Sequence, residues 1–74
     1  MDLTIRLFAN FRDGRFREAE RPYSQGTTVG EIVDGLGIAR SEVGVLLVNG
    51  RHATFELAPK LGDAVAIFPK VGGG

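Results

Sequence analysis

Residues 28–37 read Thr-Val-Gly-Glu-Ile-Val-Asp-Gly-Leu-Gly, and this stretch decides the fold because it contains the one convincing helix in the sequence. Thr28 and Glu31 have the capping-box spacing, in which each side chain accepts a hydrogen bond from the other residue's backbone N–H. Apolar residues then recur at i, i+3, i+4 and i+7 in a single stripe: Val29, Ile32, Val33 and Leu36. Gly37 suits the left-handed position that closes a helix. The two internal glycines each cost about 1 kcal/mol relative to alanine, so we expect packing against a sheet to hold this helix.

The chain begins with a period-2 pattern, which is typical of a half-buried strand. One face would carry Leu3, Ile5 and Leu7, and the other Thr4, Arg6 and Phe8. The polar stretch 10–15 contains Asp13-Gly14, a frequent hairpin signal. A second, weaker strand is predicted over about residues 16–23.

After the helix and a loop over residues 39–42, three more strands are predicted. Residues 43–48 form a near-continuous apolar run, as expected in the middle of a sheet. Asn49-Gly50 is a strong hairpin signal and leads into a short return strand near residues 51–54. An irregular stretch with proline and glycine turns precedes the last strand, residues 64–68.

The predicted order of elements is therefore strand, strand, helix, strand, short strand, strand. A single helix across one face of a mixed sheet of four or five strands is the β-grasp, or ubiquitin-like, arrangement of an α+β protein. We expect one such domain over residues 1–71, followed by a flexible glycine tail over residues 72–74.

The composition argues against several classes of function. At 74 residues the chain is one small domain, which buries only about 60% of its unfolded surface and leaves no room for a deep pocket. It has no cysteine, which excludes disulfides, thiolate metal sites and cysteine nucleophiles. Nine Lys and Arg balance nine Asp and Glu, whereas nucleic-acid binding through phosphate neutralisation needs a positive excess. No export signal or long apolar span occurs, so we expect no membrane association and a cytoplasmic location.

The sequence also lacks a recognisable catalytic constellation. The single histidine, His52, follows the hairpin signal and is expected to be a surface residue and not a general base. No second ligand stands at metal-binding spacing from it, so no metal site is predicted. Glu31 and Asp34 share a helix face, where a cap and a solvated charge are expected. We therefore predict that the chain is not an autonomous enzyme and binds no cofactor of its own.

The terminal glycines, Gly72, Gly73 and Gly74, follow closely on the last apolar strand. Because glycine has no Cβ, such a tail can be threaded into a narrow pocket of another protein, with the carboxylate of Gly74 at its tip. Terminal glycines can also be merely frayed, but here the preceding strand would anchor the base of the tail. We expect Gly74 to be the reactive group and the other two glycines to thread it.

Several motifs in a fixed order resemble the MoaD/ThiS family of ubiquitin-like sulfur carriers. They are the opening strand with Ala9, then Val48-Asn49-Gly50-Arg51, Gly62-Asp63, Phe68-Pro69 and the terminal glycines. The resemblance covers essentially the whole chain. Two positions depart from the MoaD pattern: Lys70 stands where a second proline is usual, and Gly72 stands where alanine or serine is common.

The resemblance implies a specific chemistry at Gly74. A partner adenylating enzyme of the ubiquitin-activating type would use ATP to form the Gly74 acyl-adenylate, and a sulfur donor such as a cysteine desulfurase would convert it to a thiocarboxylate. The first expectation is a carrier for molybdopterin (molybdenum or tungsten cofactor) synthesis, acting with the large subunit of molybdopterin synthase. A ThiS-type carrier that serves thiazole synthase in thiamin synthesis is the alternative within this class. A ubiquitin-like modifier joined to lysines through Gly74 and an interaction module with an inert tail also stay open.

The sheet face opposite the helix is expected to bind these partners. If the leucines and isoleucine of the first strand face the core, Phe8 points outward. The same argument places Phe68 outward on the last strand. These two strands are neighbours in this fold, so Phe8 and Phe68 should approach each other, with Leu47 as a third member. Exposed apolar patches commonly mark binding sites, and we also expect Pro69 and Val71 to contact partners.

Overall fold

The computed structural model describes residues 1–71, in which there are one α-helix, five β-strands and two short 3-10 helices. The strands are β1 (Asp2–Leu7), β2 (Glu18–Pro22), β3 (Val43–Val48), β4 (Arg51–His52) and β5 (Ala64–Pro69), and the helix is α1 (Val29–Gly35). The 3-10 helices span Ala9–Arg12 and Arg40–Glu42. The predicted tail of Gly72, Gly73 and Gly74 lies outside the described residues.

The five strands form one mixed sheet in the order β2-β1-β5-β3-β4. β1 and β5 run parallel, with Thr4 opposite Ala64 and Leu7 opposite Ile67, while the other neighbours run antiparallel. β5 is therefore the central strand and has a neighbour on each side. With α1 packed across one face, the sheet has the β-grasp architecture that the sequence predicted.

The core lies between α1 and one face of the sheet, where the period-2 pattern of the strands meets the apolar stripe of the helix. The inward faces predicted for β1 and β5 are confirmed, because their alternate residues are all 0% exposed. The buried apolar residues are Leu3, Ile5, Leu7, Phe11, Val29, Ile32, Val33, Ile38, Leu46, Val48, Val65 and Ile67.

Both ends of α1 close as predicted. The Thr28 hydroxyl oxygen accepts the Glu31 backbone N–H at 3.2 Å, and Glu31 Oε1 accepts the Thr28 backbone N–H at 2.9 Å. The first two N–H groups of the helix donate to carbonyls of the irregular stretch 55–57, both at 2.8 Å. Gly37 has a φ of 75°, which suits the left-handed closing position. The orphan donors at the start of the helix are therefore satisfied by its own cap and by the loop packed against it.

The two 3-10 helices stand where a turn and a loop were predicted. In Ala9–Arg12 the side chain of Phe11 turns inward and is only 2% exposed, so this segment closes one end of the core. A single aromatic residue in a polar stretch carries no periodicity, and the pattern could not show this. β2 and β4 are also shorter than predicted. Both are edge strands, and β2 has little buried surface. Single backbone hydrogen bonds from Leu7 to Arg17 and from Ala53 to Leu46 continue beyond their ends.

The Asn49-Gly50 turn is tied to the turn at Asp63 by side-chain hydrogen bonds. Asn49 and Gly50 have φ values of 52° and 81°, as a type I′ hairpin turn requires. Asn49 Nδ2 donates to Asp63 Oδ1 at 2.9 Å, and Asn49 Oδ1 accepts the Ala64 N–H at 2.9 Å. The Lys60 N–H donates to the Asp63 carboxylate and lowers the pKa of that group. Two motifs that carry the sequence resemblance therefore form one structural unit, which sets where β5 begins.

Candidate interaction face and tail root

The rings of Phe8 and Phe68 stack on the sheet face opposite α1. Phe8 directly follows β1 and Phe68 lies in β5, and the parallel pairing of Leu7 with Ile67 places the next residues side by side on the outer face. The ring centroids are 4.0 Å apart and the ring planes differ by 9°. The expected approach of the two rings is confirmed, although each is half-buried and not fully exposed. Their role in binding partners stays a prediction.

Arg12 lies over the Phe8 ring and gives this surface a cationic edge. Its guanidinium carbon is 5.3 Å from the ring centroid, and its Nε donates to the Leu7 carbonyl oxygen at 2.7 Å. The ring quadrupole attracts the cation, while the backbone hydrogen bond fixes its position. The sequence analysis missed Arg12, because its placement depends on a 3-10 helix that no pattern predicted.

β3 adds two aliphatic side chains to the same face. Val45 lies opposite Phe68, and Leu47 lies opposite Ala66, in the antiparallel pairing with β5. Val45 is 37% exposed and Leu47 is half-buried. The sequence analysis placed Leu47 here but missed Val45, which the period-2 rule could have found two residues earlier on the same strand. We call Phe8, Phe68, Val45 and Leu47 the aromatic face.

The chain leaves the sheet directly beside the aromatic face. Pro69 is the last residue of β5 and is half-buried, while Val71 is 93% exposed. Between them, the Lys70 N–H donates to the Glu42 carbonyl oxygen at 3.0 Å. The two predicted partner contacts Pro69 and Val71 therefore link the aromatic face to residues 72–74, which lie outside the described part of the chain.

The polar groups on this side of the sheet are mostly solvated. Arg6 Nε donates to Glu18 Oε1 at 2.8 Å, but the side chains are 50% and 57% exposed, so the ion pair adds little stability. His52 lies opposite Leu47 and is exposed, as predicted for a surface histidine. Within residues 1–71 no group of three or more His, Cys, Asp or Glu is placed to hold a metal ion. Over the same residues, no helix has the length and apolar character needed to cross a membrane.

Together these features define a small ubiquitin-like protein with an apolar face at the base of its C-terminal segment. The chain belongs to the Mut7-C ubiquitin family, whose sequence model matches residues 4–72. A comparison with curated proteins gave no match.

Solved structures with the same architecture cover nearly all of this chain. The HVO 2177 protein of Haloferax volcanii is 33% identical, with a TM-score of 0.76 over 100% of this chain and 87% of that one. SAMP1 from Haloferax volcanii is 26% identical, with a TM-score of 0.77 over 100% of both chains. A putative molybdopterin converting factor subunit 1 from Pyrococcus furiosus is 24% identical, with a TM-score of 0.77 over 96% of this chain and 99% of that one.

These neighbours bear out the resemblance to MoaD/ThiS-type ubiquitin-like proteins. The likeness to the Pyrococcus protein is one of fold, because the identity is low. The likeness to SAMP1 extends over both whole chains at somewhat higher identity.

Proposed function

We propose that this chain is a sulfur carrier, whose Gly74 is adenylated and converted to a thiocarboxylate that donates sulfur in molybdopterin biosynthesis. The observation that carries the proposal is the position of β5. This strand is held by a neighbour on each side, bears Phe68 on the aromatic face and leads straight into residues 70–74. Because the strand before it is held on both sides, the tail can enter a partner's pocket while the domain stays folded.

The aromatic face is the proposed docking surface for the adenylating enzyme and for the large subunit of molybdopterin synthase. Aromatic side chains with both apolar area and few rotatable bonds are frequent anchors of protein interfaces. Pro69 and Val71 would lie along the entrance of the partner's pocket, with Gly72 and Gly73 inside it. Because both partners need the same tail and the same face, they must bind the carrier one after the other.

The chemistry takes place on the carboxylate of Gly74 and uses groups supplied by partners. A carboxylate oxygen attacks the α-phosphorus of ATP in the adenylating enzyme, and pyrophosphate leaves. The persulfide sulfur of a donor such as a cysteine desulfurase then attacks the acyl carbon, AMP leaves, and an acyl disulfide forms. A thiol such as free cysteine reduces this acyl disulfide, which releases the thiocarboxylate and leaves a disulfide between the thiol and the donor. The resulting thiocarboxylate carries a soft nucleophilic sulfur to the synthase. The chain acts as a covalent cosubstrate, as other group carriers do, while its partners provide orientation and electrostatics.

Conjugation to other proteins is a second function that one observation favours. SAMP1 resembles this chain over the full length of both, and a second structure of that protein is described as small archaeal modifier protein 1. In that case a lysine amine attacks the same activated Gly74 carbonyl, AMP leaves, and an isopeptide bond forms. The two functions share the adenylation step and differ in the nucleophile that follows.

The test is intact-mass spectrometry of the chain after incubation with ATP, a cognate adenylating enzyme, a cysteine desulfurase and cysteine. We expect one oxygen of the Gly74 carboxylate to be replaced by sulfur, and the change to map to the C-terminal peptide. A chain that lacks Gly74 is the matched control. It should not be modified, yet it should unfold like the parent, because the core residues lie between Leu3 and Ile67.

Each other result has a definite meaning. Appearance of the chain's mass on lysines of other proteins would favour conjugation over sulfur transfer. Neither product with any cognate adenylating enzyme would refute both functions. A loss of cooperative unfolding in the chain without Gly74 would show that the tail is structural.

A further inference from the structure

Lys70 departs from the MoaD pattern, in which a second proline usually follows, and the structure gives a reason for this. The Lys70 backbone N–H donates to the Glu42 carbonyl oxygen at 3.0 Å. Proline has no N–H group and could not make this bond. The residue after Pro69 therefore serves here as a backbone hydrogen-bond donor, at the point where the chain leaves β5.

Gly44 provides the space that this bond needs. The pairing of β3 with β5 is irregular between Val43 and Val45, so Gly44 is an extra residue in the ladder. A Cβ atom on Gly44 would lie 2.8 Å from Lys70 Cα and 2.8 Å from the Pro69 carbonyl oxygen, closer than nonbonded atoms approach. Gly44 is exposed, and its φ is not in the left-handed region, so neither burial nor backbone conformation explains the glycine. The close approach of the β5 backbone does explain it.

The 3-10 helix that supplies the Glu42 carbonyl directly precedes β3 and contacts α1 through Arg40. Arg40 Nε and Nη2 donate to Asp34 Oδ1 and Oδ2 at 3.0 and 2.9 Å, and the guanidinium lies 5.2 Å from the Phe55 ring centroid. Gly30 makes room for this arrangement, since a Cβ atom there would lie 2.6 Å from Arg40 Nη2. The acceptor at Glu42 is therefore attached to the body of the domain and does not hang on a free loop.

We propose that the Glu42 carbonyl and Gly44 form a tail seat, which fixes the direction in which the chain leaves β5. Gly44 is then a positioning residue for activation of Gly74. The seat itself stands on the geometry, while its consequence for activation rests on the function proposed above. A tail whose base is fixed has fewer orientations to lose when it enters a partner's pocket. In the MoaD pattern a second proline would restrict the backbone at this position. In this chain the hydrogen bond from Lys70 to Glu42 restricts the backbone, and the missing Cβ of Gly44 leaves room for that bond.

The first test measures amide hydrogen exchange by NMR in the Gly44→Ala variant. We expect the Lys70 amide to be protected in the parent chain and to exchange roughly fivefold faster or more in the variant, which is the effect of losing one ordinary hydrogen bond. The Leu7 amide, which points away from β5 and donates to the Arg17 carbonyl at 3.0 Å, should keep its rate.

Gly35→Ala is the matched control for this experiment, because a Cβ atom on Gly35 would meet no atom within 4 Å. The Gly35→Ala variant should not accelerate hydrogen exchange of the Lys70 amide or of the Leu7 amide. Equal acceleration of the Lys70 and Leu7 amides in Gly44→Ala would show that the glycine only supports global stability. That result would overturn the seat, and so would unprotected exchange of the Lys70 amide in the parent chain.

The second test measures ATP–pyrophosphate exchange by a cognate adenylating enzyme at a temperature where all variants are folded. Gly44→Ala should raise the KM for the carrier roughly fivefold or more, with little change in kcat, because a loosely rooted tail must be ordered on binding. Gly35→Ala, whose new methyl group meets no atom within 4 Å, should behave like the parent chain. An unchanged KM in Gly44→Ala would refute its positioning role.

The two tests separate failure of the seat from failure of the proposed function. If the parent chain supports no pyrophosphate exchange, the carrier function fails and the positioning role fails with it. The hydrogen-exchange result would still decide whether the seat exists. If the parent chain is activated but its Lys70 amide is unprotected, the function stands and the seat is refuted.

Discussion

Truncation of the two stacked rings, singly and together, tests the geometry of the aromatic face in solution. Phe8 and Phe68 contact each other at a centroid distance of 4.0 Å with nearly parallel planes, and both rings are half-buried. If the stack persists in solution, the effects of Phe8→Ala and Phe68→Ala on stability cannot be additive, because each substitution removes the same ring contact.

The expected size follows from the burial of the rings. Truncation of a fully buried phenylalanine costs about 3–5 kcal/mol, and a ring that keeps some contact with water should cost less, about 2 kcal/mol. An aromatic pair contributes about 1 kcal/mol beyond the area it buries, and this part is lost only once in the double variant. We therefore expect the double variant to lose about 3 kcal/mol, where strict additivity would give about 4. A domain of this size has a total stability of roughly 4–11 kcal/mol, so the double variant should remain measurable.

The assay is urea denaturation of the parent chain, both single variants and the double variant, with the free energy of unfolding compared in a double-mutant cycle. Phe8→Ala combined with Leu61→Ala is the control cycle. Leu61 is 73% exposed in a separate loop and should show additive effects. Additivity within about 0.3 kcal/mol for the Phe8–Phe68 cycle would refute the stack. A loss of 3 kcal/mol or more for either single variant would show that its ring belongs to the core and not to a docking surface.

Three further predictions concern α1 and the acidic groups. Gly35→Ala should stabilise the domain by up to about 1 kcal/mol, since glycine is a poor helix residue and the new methyl meets open space; a lower unfolding temperature would contradict this. Thr28→Ala should cost about 1 kcal/mol through loss of the capping box, while Thr28→Ser should retain most of the stability in thermal unfolding. The pKa of Asp34 is lowered by a hydrogen bond from Arg40, and that of Asp63 chiefly by the Lys60 N–H. Carboxyls with a lowered pKa in the folded state stabilise it above their unfolded pKa, so the urea midpoint should fall as the pH drops below about 4. The fall should be shallower in Asp63→Asn, and an unchanged pH profile would refute the assignment.

Much of the fold could be predicted because its signals are local. The capping box at Thr28, the stripe of α1 and the alternation of β1 each depend on residues within one or two turns or a single strand. Those features appear in the structure within a few residues of their predicted positions. The outward direction of Phe8 and Phe68 follows from the same period-2 geometry, so the two aromatic residues of this face could be predicted from the sequence.

Other parts of the site were decided by contacts between distant segments, which no local pattern encodes. Phe11 enters the core, and Arg12 reaches Phe8, because a 3-10 helix forms against the end of the sheet. A glycine in an apolar strand can signal a bulge, but the sequence of β3 does not say what approaches Gly44.

The sequence by itself therefore determined the helix, the five strands and the inward faces of β1 and β5, since helix capping and side-chain periodicity act over short distances along the chain. Only the tertiary structure decided how the tail is rooted. The tail seat requires β5 to lie beside β3 in one register. This register brings the Lys70 backbone against Gly44 and the Lys70 N–H to the Glu42 carbonyl oxygen. The physical reason is that a register is chosen by burial of the whole sheet face at once, and a one-residue slip would have placed different atoms at this contact.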